Sequence, residues 1–337
     1  MLRVSYQDLF GALLQVLLKL GFEQQRAQLC AQLFADASRD GVYSHGLNRF
    51  PRFVSMVRSG LVDIHAVPEL RTNSGPLEGW NGNSGPGNLN AYHSMKRAIE
   101  LSREHGMGCV ALANTNHWMR GGSYGWQAAE AGVIGICWTN TLPNLPPWGA
   151  SDPRVGNNPL IIAVPRDKGH VVLDMAMSQF SYGTLTSYRM RGERLPVDGG
   201  YDGKGQLTRD PGAIEASGRP LPIGFWKGSG LALMLDLLAA LLSGGKATHQ
   251  LATDPDRETM LSQVFIAFDP SFHAASADQA PLTPDVADQI VAHFQLPPHS
   301  AGEPVRYPGY RVLNTRRENL ANGVPVDPSI WQEVQAY

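Results

Sequence analysis

Gly106-Met107-Gly108-Cys109-Val110-Ala111-Leu112-Ala113 is the stretch that decides the fold. It is the nearest approach in the chain to the glycine fingerprint of a dinucleotide site, in which a strand runs into Gly-x-Gly-x-x-Gly and then a helix. Position 111 is alanine, and the order is reversed: a helical stretch ends at the glycines and an apolar strand follows them. A standard Rossmann domain is therefore not expected. Upstream, Asn88 to His105 reads as a helix behind the turn Gly85-Pro86-Gly87; downstream, Ser123 to Ala131 reads as a helix closed by Gly132. Val110-Ala111-Leu112-Ala113, Ile134-Gly135-Ile136-Cys137-Trp138 and Leu160-Ile161-Ile162-Ala163-Val164 are short apolar runs broken by glycine and proline, the pattern of sheet strands. The centre of the chain is thus a mixed α/β unit.

Toward the N-terminus the pattern is helical. Ser5 with Asp8 forms a capping signal ahead of Leu9, Leu13, Leu14, Leu17 and Leu18, which recur at helical spacing until Gly21. A second helix runs from Glu23 to about Arg39 with Ala27, Leu29, Cys30, Leu33, Phe34 and Ala37 inward, so the chain opens on an antiparallel helical pair. Beyond Pro270 a loop rich in Ala, Pro and Asp leads to a helix near 284–294, and an amphipathic segment near 328–335 follows Asp327 as cap and Pro328 as first residue. Packing of these late helices on the first pair would divide the chain into a discontinuous helical domain, 1–66 with 283–337, and an α/β domain, 67–282. No repeat at a solenoid period is evident.

Composition removes several classes. A net charge of -2 lacks the basic footprint of a nucleic-acid binder and points to small-molecule substrates or protein partners. Cys30, Cys109 and Cys137 are odd in number and far apart, which argues against disulfides and structural zinc and for a reducing cytoplasm. No export or lipidation signal stands at the N-terminus, and the longest apolar run, Leu231 to Leu242, contains Asp236 and is too short to span a bilayer, so no membrane partner is expected. No His-Glu-x-x-His, no histidine pair at helical spacing and no Gly-x-Ser-x-Gly elbow is found, so neither metal nor serine-nucleophile chemistry is expected.

Chemistry concentrates in Gly41-Val42-Tyr43-Ser44-His45-Gly46-Leu47-Asn48-Arg49-Phe50. An imidazole exchanges protons near neutrality, and a guanidinium grips a carboxylate with two parallel bonds. If 44–50 is helical, His45 and Arg49 share one face and address one small oxo acid. The same residue types also fit a satisfied histidine at a helix end and a surface arginine. In Asn116-His117-Trp118-Met119-Arg120 the histidine and arginine stand after a strand and before a helix, where α/β sheets bind ligands; a loop with a packed tryptophan is the plainer reading. Asn158, in Asn157-Asn158-Pro159, either bonds a substrate oxygen or makes a local turn. Asp174 follows a short strand, where it orients a histidine or caps the next turn. In Trp226-Lys227-Gly228-Ser229-Gly230 the glycines and lysine open a helix beginning near Leu231, whose free N–H groups would face an anion; a routine turn reads as well.

With these segments assembled, the chain resembles the family of malate and L-lactate dehydrogenases of the second type, which includes L-sulfolactate dehydrogenases and is unrelated to the Rossmann dehydrogenases. The resemblance covers nearly the whole chain. It rests on Gly41 to Gly46, on Asn116 to Glu130, on Phe180-Ser181-Tyr182-Gly183, on Leu195-Pro196-Val197-Asp198-Gly199-Gly200 and on Trp226 to Gly230. It implies an α/β (α+β) fold with a non-Rossmann cofactor domain, built on a mostly antiparallel mixed sheet, plus a discontinuous helical domain. It also implies a homodimer, with the active site between domains near the dimer interface. His45 is then the proton donor. His170, Val171, Val172, Leu173, Asp174, Met175 and Ala176, the pair Trp226 and Lys227, and Gly309, Tyr310 and Arg311 contact a nicotinamide cofactor. NADH is the expected form, with NADP(H) as the alternative, because Arg311 stands where relatives carry an acidic residue and suits a 2′-phosphate. Relatives usually have Gly-Thr-Asn-Pro where this chain has Gly156-Asn157-Asn158-Pro159.

The expected reaction follows. Arg49, helped by Arg120, fixes the carboxylate of a 2-oxo acid while NADH delivers hydride to the keto carbon, and His45 as imidazolium protonates the alkoxide. Ser44 joins the substrate set, and His117 bonds a substrate hydroxyl or positions His45. The polar group of Arg120, His117 and Asn158 suits a hydroxylated sugar acid, with malate, lactate, sulfolactate and cyclic imino acids as alternatives. Two rivals of other classes are a sugar-acid binding protein using Trp118, Trp126 and the arginines, and a hydrolase with His45 as general base; neither predicts saturable NADH binding.

Overall fold

The computed structural model describes residues 2–275, 284–297 and 305–337. A short strand, β1 (Leu2–Val4), precedes α1 (Tyr6–Lys19), α2 (Gln24–Arg39) and α3 (Phe50–Arg58). The Ser5 side chain accepts the Asp8 N–H, as its capping signal predicts, and Glu23 caps α2. The hairpin β2 (Glu69–Ser74) and β3 (Leu77–Asn81) leads to α4 (Gly87–His105), β4 (Met107–Thr115), α5 (Gly122–Glu130) and β5 (Ile134–Thr139). β6 (Leu160–Val164), β7 (Val171–Met175) and α6 (Tyr182–Met190) follow, then the two-residue strands β8 (Gly200–Tyr201) and β9 (Leu207–Thr208), α7 (Pro211–Ser217) and α8 (Trp226–Ser243). The chain closes with β10 (Leu261–Phe268), α9 (Pro284–Phe294), α10 (Tyr310–Asn322), β11 (Val324–Val326) and α11 (Pro328–Ala336).

The main sheet has the order β2-β3-β4-β10-β5-β6-β7. Only β3 and β4 pair in parallel; every other neighbouring pair is antiparallel. The decisive glycine stretch lies where α4 runs into β4, and Gly106 closes α4 in the left-handed region, φ +83°. Strand alternation sorts the apolar residues of the central strands onto two faces. Val110, Leu112, Cys137 and Phe265 pack under α4 and α5, and Cys109, Ala111, Trp138 and Val264 pack against Ala232, Leu235 and Ala239 of α8. The architecture is therefore a mixed, mostly antiparallel sheet with helices on both faces and a separate helical region.

In that region α1, α2, α3 and α11 share one core around Leu9, Leu13, Phe34, Phe50, Phe53 and Trp331. The antiparallel pairing of β1 with β11 ties the two ends of the chain together. α9 is anchored elsewhere: its Asp288 pairs with Arg166 at 3.3 Å and Lys168 at 3.2 Å, on the connection between β6 and β7. The expected boundary at 282/283 lies outside the described residues. α8 is longer than its apolar run predicts, and among the described residues it is the one helix long and apolar enough to cross a membrane, although Ala232, Leu235 and Ala239 bury one side of it on the sheet.

Candidate active site

The expected single helix over 44–50 is instead two 3-10 turns, Tyr43–His45 and Leu47–Arg49, separated by Gly46 at φ -105°, ψ -125°. The physical reason is close packing on α2. A β-carbon at Gly46 would fall 2.7 Å from the Ser38 main-chain nitrogen. Ser38 Oγ uses the contact to accept the Leu47 N–H at 2.8 Å. The turn that carries His45 is thereby pinned to a buried helix wall.

His45 is half-buried, and Ser44 Oγ lies 3.0 Å from its Nδ1. Its ring stacks on His117, with centroids 5.8 Å apart and planes 19° from parallel. Met119, held at φ +64°, donates its N–H to His117 Nδ1 at 3.0 Å. That bond requires an unprotonated Nδ1, so the neutral ring of His117 carries its proton on Nε2. Crowding by protein atoms, then the charges of Arg49 and Arg120, lower the His45 pKa to about 4. Loss of hydration, Arg49 and His45 itself put His117 well below the ordinary histidine value. Both imidazoles are neutral near pH 7, so the imidazolium expected of His45 is not its resting form.

Both arginines act on that ring, but they are held differently. Arg49 makes one described hydrogen bond, from Nη2 to Glu258 Oε2 at 3.1 Å, which leaves Nε and Nη1 for another acceptor. Burial raises the Glu258 pKa against the opposing charges of Arg49 and Arg52. Arg120 is only 4% exposed, and its Nη1 is bonded to Asp40 Oδ2 at 2.6 Å. Asp40 also accepts from Arg39 at 2.9 Å and from Arg316 at 2.8 and 2.7 Å. Burial opposes ionisation of Asp40, yet these guanidinium groups outweigh it and hold the carboxyl well below the usual range. Arg120 thus gives Nη1 to an internal carboxylate while its buried Nε has no acceptor among the described residues, and Arg49 gives Nη2 to Glu258.

Asn158 does not reach a ligand in this geometry. It is fully buried, its Oδ1 accepting the Thr141 N–H at 3.0 Å and its Nδ2 donating to Ala232 O at 2.8 Å, so it joins the loop after β5 to α8. Asp174 lies within β7 rather than after it, and its Oδ2 accepts the Gly122 N–H at 2.9 Å, capping α5 from the face of the sheet that this helix covers. The residue is open to solvent on one side, but protein atoms crowd the carboxyl and raise its pKa against Arg120 and that N–H.

Three segments expected to hold a cofactor converge on β7, the edge strand of the sheet. At its start, Val172 donates its N–H to Pro308 O at 3.0 Å, which brings Gly309, Tyr310 and Arg311 beside it. Gly309, at φ +95°, lies so close that a β-carbon would sit 3.1 Å from Val172 N. Beyond its end, Met177 O accepts the Ile223 N–H at 2.8 Å, and the chain from Ile223 leads directly into Trp226 and Lys227. The two-residue alternation turns the main-chain N–H and C=O of Asp174 the same way as those of Val172, to the open edge. A donor and acceptor side by side are what a carboxamide needs, so the residues present fit a nicotinamide. His170 adds a ring contact with Trp126, centroids 5.7 Å apart. A β-carbon on Gly183, in the first turn of α6, would lie 3.6 Å from Ser44 Oγ, which sets the His45 turn against the start of that helix.

One expected feature of this groove is corrected. α8 begins at Trp226, not near Leu231, so Lys227 to Gly230 form its first turn. The N–H groups of Lys227, Gly228 and Ser229 are bonded to the carbonyls of Gly224, Ile223 and Phe225. The anion reading loses these donors and keeps the exposed Lys227 ammonium.

Glu258, Asp40, Arg316 and Arg52 were not expected to matter. Asp40 stands next to the Gly41 motif and Arg52 three residues after Arg49, which is a local signal. Glu258, in a charged loop, and Arg316 carry none, because their partners lie 209 and 276 residues away.

The family model described as malate/L-lactate dehydrogenase matches residues 4–335. The chain is 44% identical over 335 residues, 99% of its own length and 100% of the relative's, to 2,3-diketo-L-gulonate reductase of Escherichia coli O6:K15:H31. Sulfolactate dehydrogenase from Methanocaldococcus jannaschii superposes with a TM-score of 0.91 at 25% identity, covering 99% of this chain and 96% of that one. Delta1-piperideine-2-carboxylate reductase from Pseudomonas syringae pvar. tomato superposes with a TM-score of 0.86 at 27% identity, covering 100% and 99%.

Proposed function

The chain belongs to the malate/L-lactate dehydrogenase family, NAD(P)-dependent oxidoreductases of 2-oxo acids, and from that premise we propose that it reduces 2,3-diketo-L-gulonate to 3-dehydro-L-gulonate with NADH. The observation that carries the reading is the His45–His117 stack beside Arg49, whose single described hydrogen bond leaves donors for a carboxylate, with the Arg120 charge acting on both His45 and Asp174 of the open edge strand. The sugar-acid substrate is favoured by the 44% identity to the diketogulonate reductase along the full chain.

His170 to Ala176, Trp226 and Lys227, and Gly309 to Arg311 would hold the cofactor, which supplies hydride to the keto carbon. Arg49 takes the substrate carboxylate. His45 protonates the new alkoxide, and in the reverse direction the neutral ring accepts that proton. Its resting pKa of about 4 is set in part by the Arg49 charge. A carboxylate on Arg49 cancels part of that charge and raises the proton affinity of His45. Binding the acid and arming the donor are then one event. His117 fixes the His45 ring by stacking.

Arg311 is exposed on the first turn of α10 and makes no described ion pair, which supports NADPH as the rival cofactor. A homodimer belongs to the same reading, supported by the exposed Leu233, Met234, Leu237, Leu238 and Leu241 of α8. A cytoplasmic site is supported by three free buried thiols. The proposed division into 1–66 with 283–337 and 67–282 is supported by the core that α11 shares with the first helices.

Oxidation of NADH and NADPH is to be followed with 2,3-diketo-L-gulonate, oxaloacetate, pyruvate, sulfopyruvate and piperideine-2-carboxylate. The sugar acid with NADH is expected to give the highest kcat/KM. Preference for the cyclic imine over every oxo acid overturns the substrate assignment.

A further inference from the structure

Between α8 and β10 the chain makes a charged loop that is fastened at both ends and exposed along its middle. Leu251 at its start and Leu261 at its end are buried together on Leu142. Asp254 folds the loop by accepting the Asp256 N–H at 2.9 Å, and Asp256 lies 3.1 Å from Arg52 Nε on α3. Residues 252–257 are all exposed, Asp254, Asp256 and Arg257 among them. Of the charged residues of the loop only Glu258 turns inward, 7% exposed. Met260, just after it, is held at φ +61°, a conformation that a residue with a side chain adopts at a cost. A carboxylate taken out of water in this way calls for a reason.

Stability is a weak one. One described side-chain hydrogen bond reaches Glu258, from Arg49 Nη2 at 3.1 Å, whereas Asp40 draws bonds from three arginines. A buried pair bonded so sparely offsets little of its lost hydration. The arginine is the part that gains. Its backbone is fixed by the bond from its N–H to Gly46 O at 3.0 Å and by Pro51 in the first turn of α3. Its long side chain is not fixed by the backbone and samples many directions unless a partner holds it. The Arg49 side chain is 22% exposed, and none of its nitrogens is both sealed off and unpaired, so the group that Glu258 holds still faces open space. A guanidinium has two edges that match a carboxylate, and they use different hydrogens of Nη2. Whichever hydrogen Glu258 takes, the opposite edge stays whole.

We propose that Glu258 is a positioning residue for the reduction: by holding one edge of the Arg49 guanidinium, it aims the other edge at the carboxylate of the incoming acid. The proposal rests on the reading of Arg49 as the carboxylate clamp and adds the group that orients it. Glu258 does not touch the substrate and acts through Arg49. The carboxylate is gripped alike before and during hydride transfer, so loss of the orientation weakens binding more than turnover. Every 2-oxo acid carries that carboxylate, so the effect does not depend on which of them is the substrate.

The test measures kcat and KM with 2,3-diketo-L-gulonate and with pyruvate for wild type, Glu258→Ala, Glu258→Gln, Arg49→Ala and the double variant Glu258→Ala with Arg49→Ala. NADH affinity by fluorescence and the denaturant midpoint are read alongside. Loss of an oriented charged hydrogen bond predicts a KM rise of roughly 10- to 150-fold in Glu258→Ala for whichever acid the wild type turns over, with kcat and NADH affinity within about threefold. Glu258→Gln keeps an acceptor and brings KM back to within about tenfold of wild type. In the double variant, loss of Glu258 adds no more than about twofold to the effect of Arg49→Ala, because a residue that acts through Arg49 has nothing left to act on. Glu258→Leu, which fills the space without an acceptor, serves the same comparison if the Ala variant does not fold. Additive effects in the double variant overturn the assignment alone, as does a Glu258→Ala KM equal to that of wild type or a loss of kcat and NADH affinity that tracks the denaturant midpoint. An Arg49→Ala variant with wild-type KM and kcat overturns the clamp reading and this assignment with it.

Discussion

Two clusters of arginine and carboxylate flank the candidate site, and they differ in how many donors each carboxylate receives. Around Asp40, three guanidinium groups from α2, the loop before α5, and α10 converge on one buried carboxylate. Around Glu258 a single arginine donates, and a second, Arg52, acts on it by charge while paired with Asp256. Both acids are buried. Their proton affinities move in opposite directions, down for Asp40 and up for Glu258, because only the first has enough donors to offset the loss of hydration. The lesson is that the number of donors reaching a buried carboxylate, not its burial alone, decides which way its proton affinity moves.

The hardest blow to the unsaturated side is His45→Ala. It should lower kcat by roughly 10²- to 10⁴-fold while NADH binding, read by fluorescence, is retained. Near-wild-type turnover would end the proton-donor assignment. In the intact enzyme the low resting affinity of His45 predicts that kcat/KM for reduction rises as pH is lowered from 8 toward 6, with oxidation showing no such rise. On the saturated side, Asp40→Ala strands three arginines and should cost about 3–5 kcal/mol of stability, measured by denaturant midpoint. A variant as stable as wild type but catalytically dead would mean that the cluster serves chemistry instead.

Acid titration sharpens the contrast through its sign. Asp40 has a folded pKa below its unfolded value of about 4, so its contribution is present above that pH and is lost as pH falls toward the folded value. The destabilisation caused by Asp40→Asn should therefore shrink as pH drops from 5 to 3. Glu258 has a folded pKa above its unfolded value, so its burial is costly when ionised and the cost is relieved by acid. Glu258→Gln should compare best with wild type near pH 7 and worst near pH 4; parallel trends for the two variants would refute the comparison. The smallest effect expected is on Glu258→Gln turnover. Arg49 keeps a neutral acceptor there, so KM for the sugar acid should rise no more than about tenfold with kcat little changed.

Much of this was legible from residues alone. The Ser5 cap, the strands Leu160 to Val164 and Ile134 to Trp138, and the reversed order at Gly106 read correctly because each depends on neighbours a few positions away. The helix expected over 44–50 did not form, since Gly46 answers to Ser38 on another helix. The start of α8 was misread because Trp226 to Gly230 look like a turn until the carbonyls of Ile223, Gly224 and Phe225 receive their N–H groups. Asn158 looked like a ligand contact because nothing in its own loop shows that Ala232 and Thr141 claim it.

The linear order of residues determined the elements, the absence of a Rossmann turn and the presence of an imidazole four positions before a guanidinium, all consequences of local backbone preference and side-chain type. Only the folded arrangement decided which carboxylate each arginine meets, on which nitrogen His117 carries its proton, and how weakly His45 holds one. Those properties depend on hydration lost and charges gained across contacts 209 and 276 residues apart, and electrostatic energy follows distance in space, not separation along the chain.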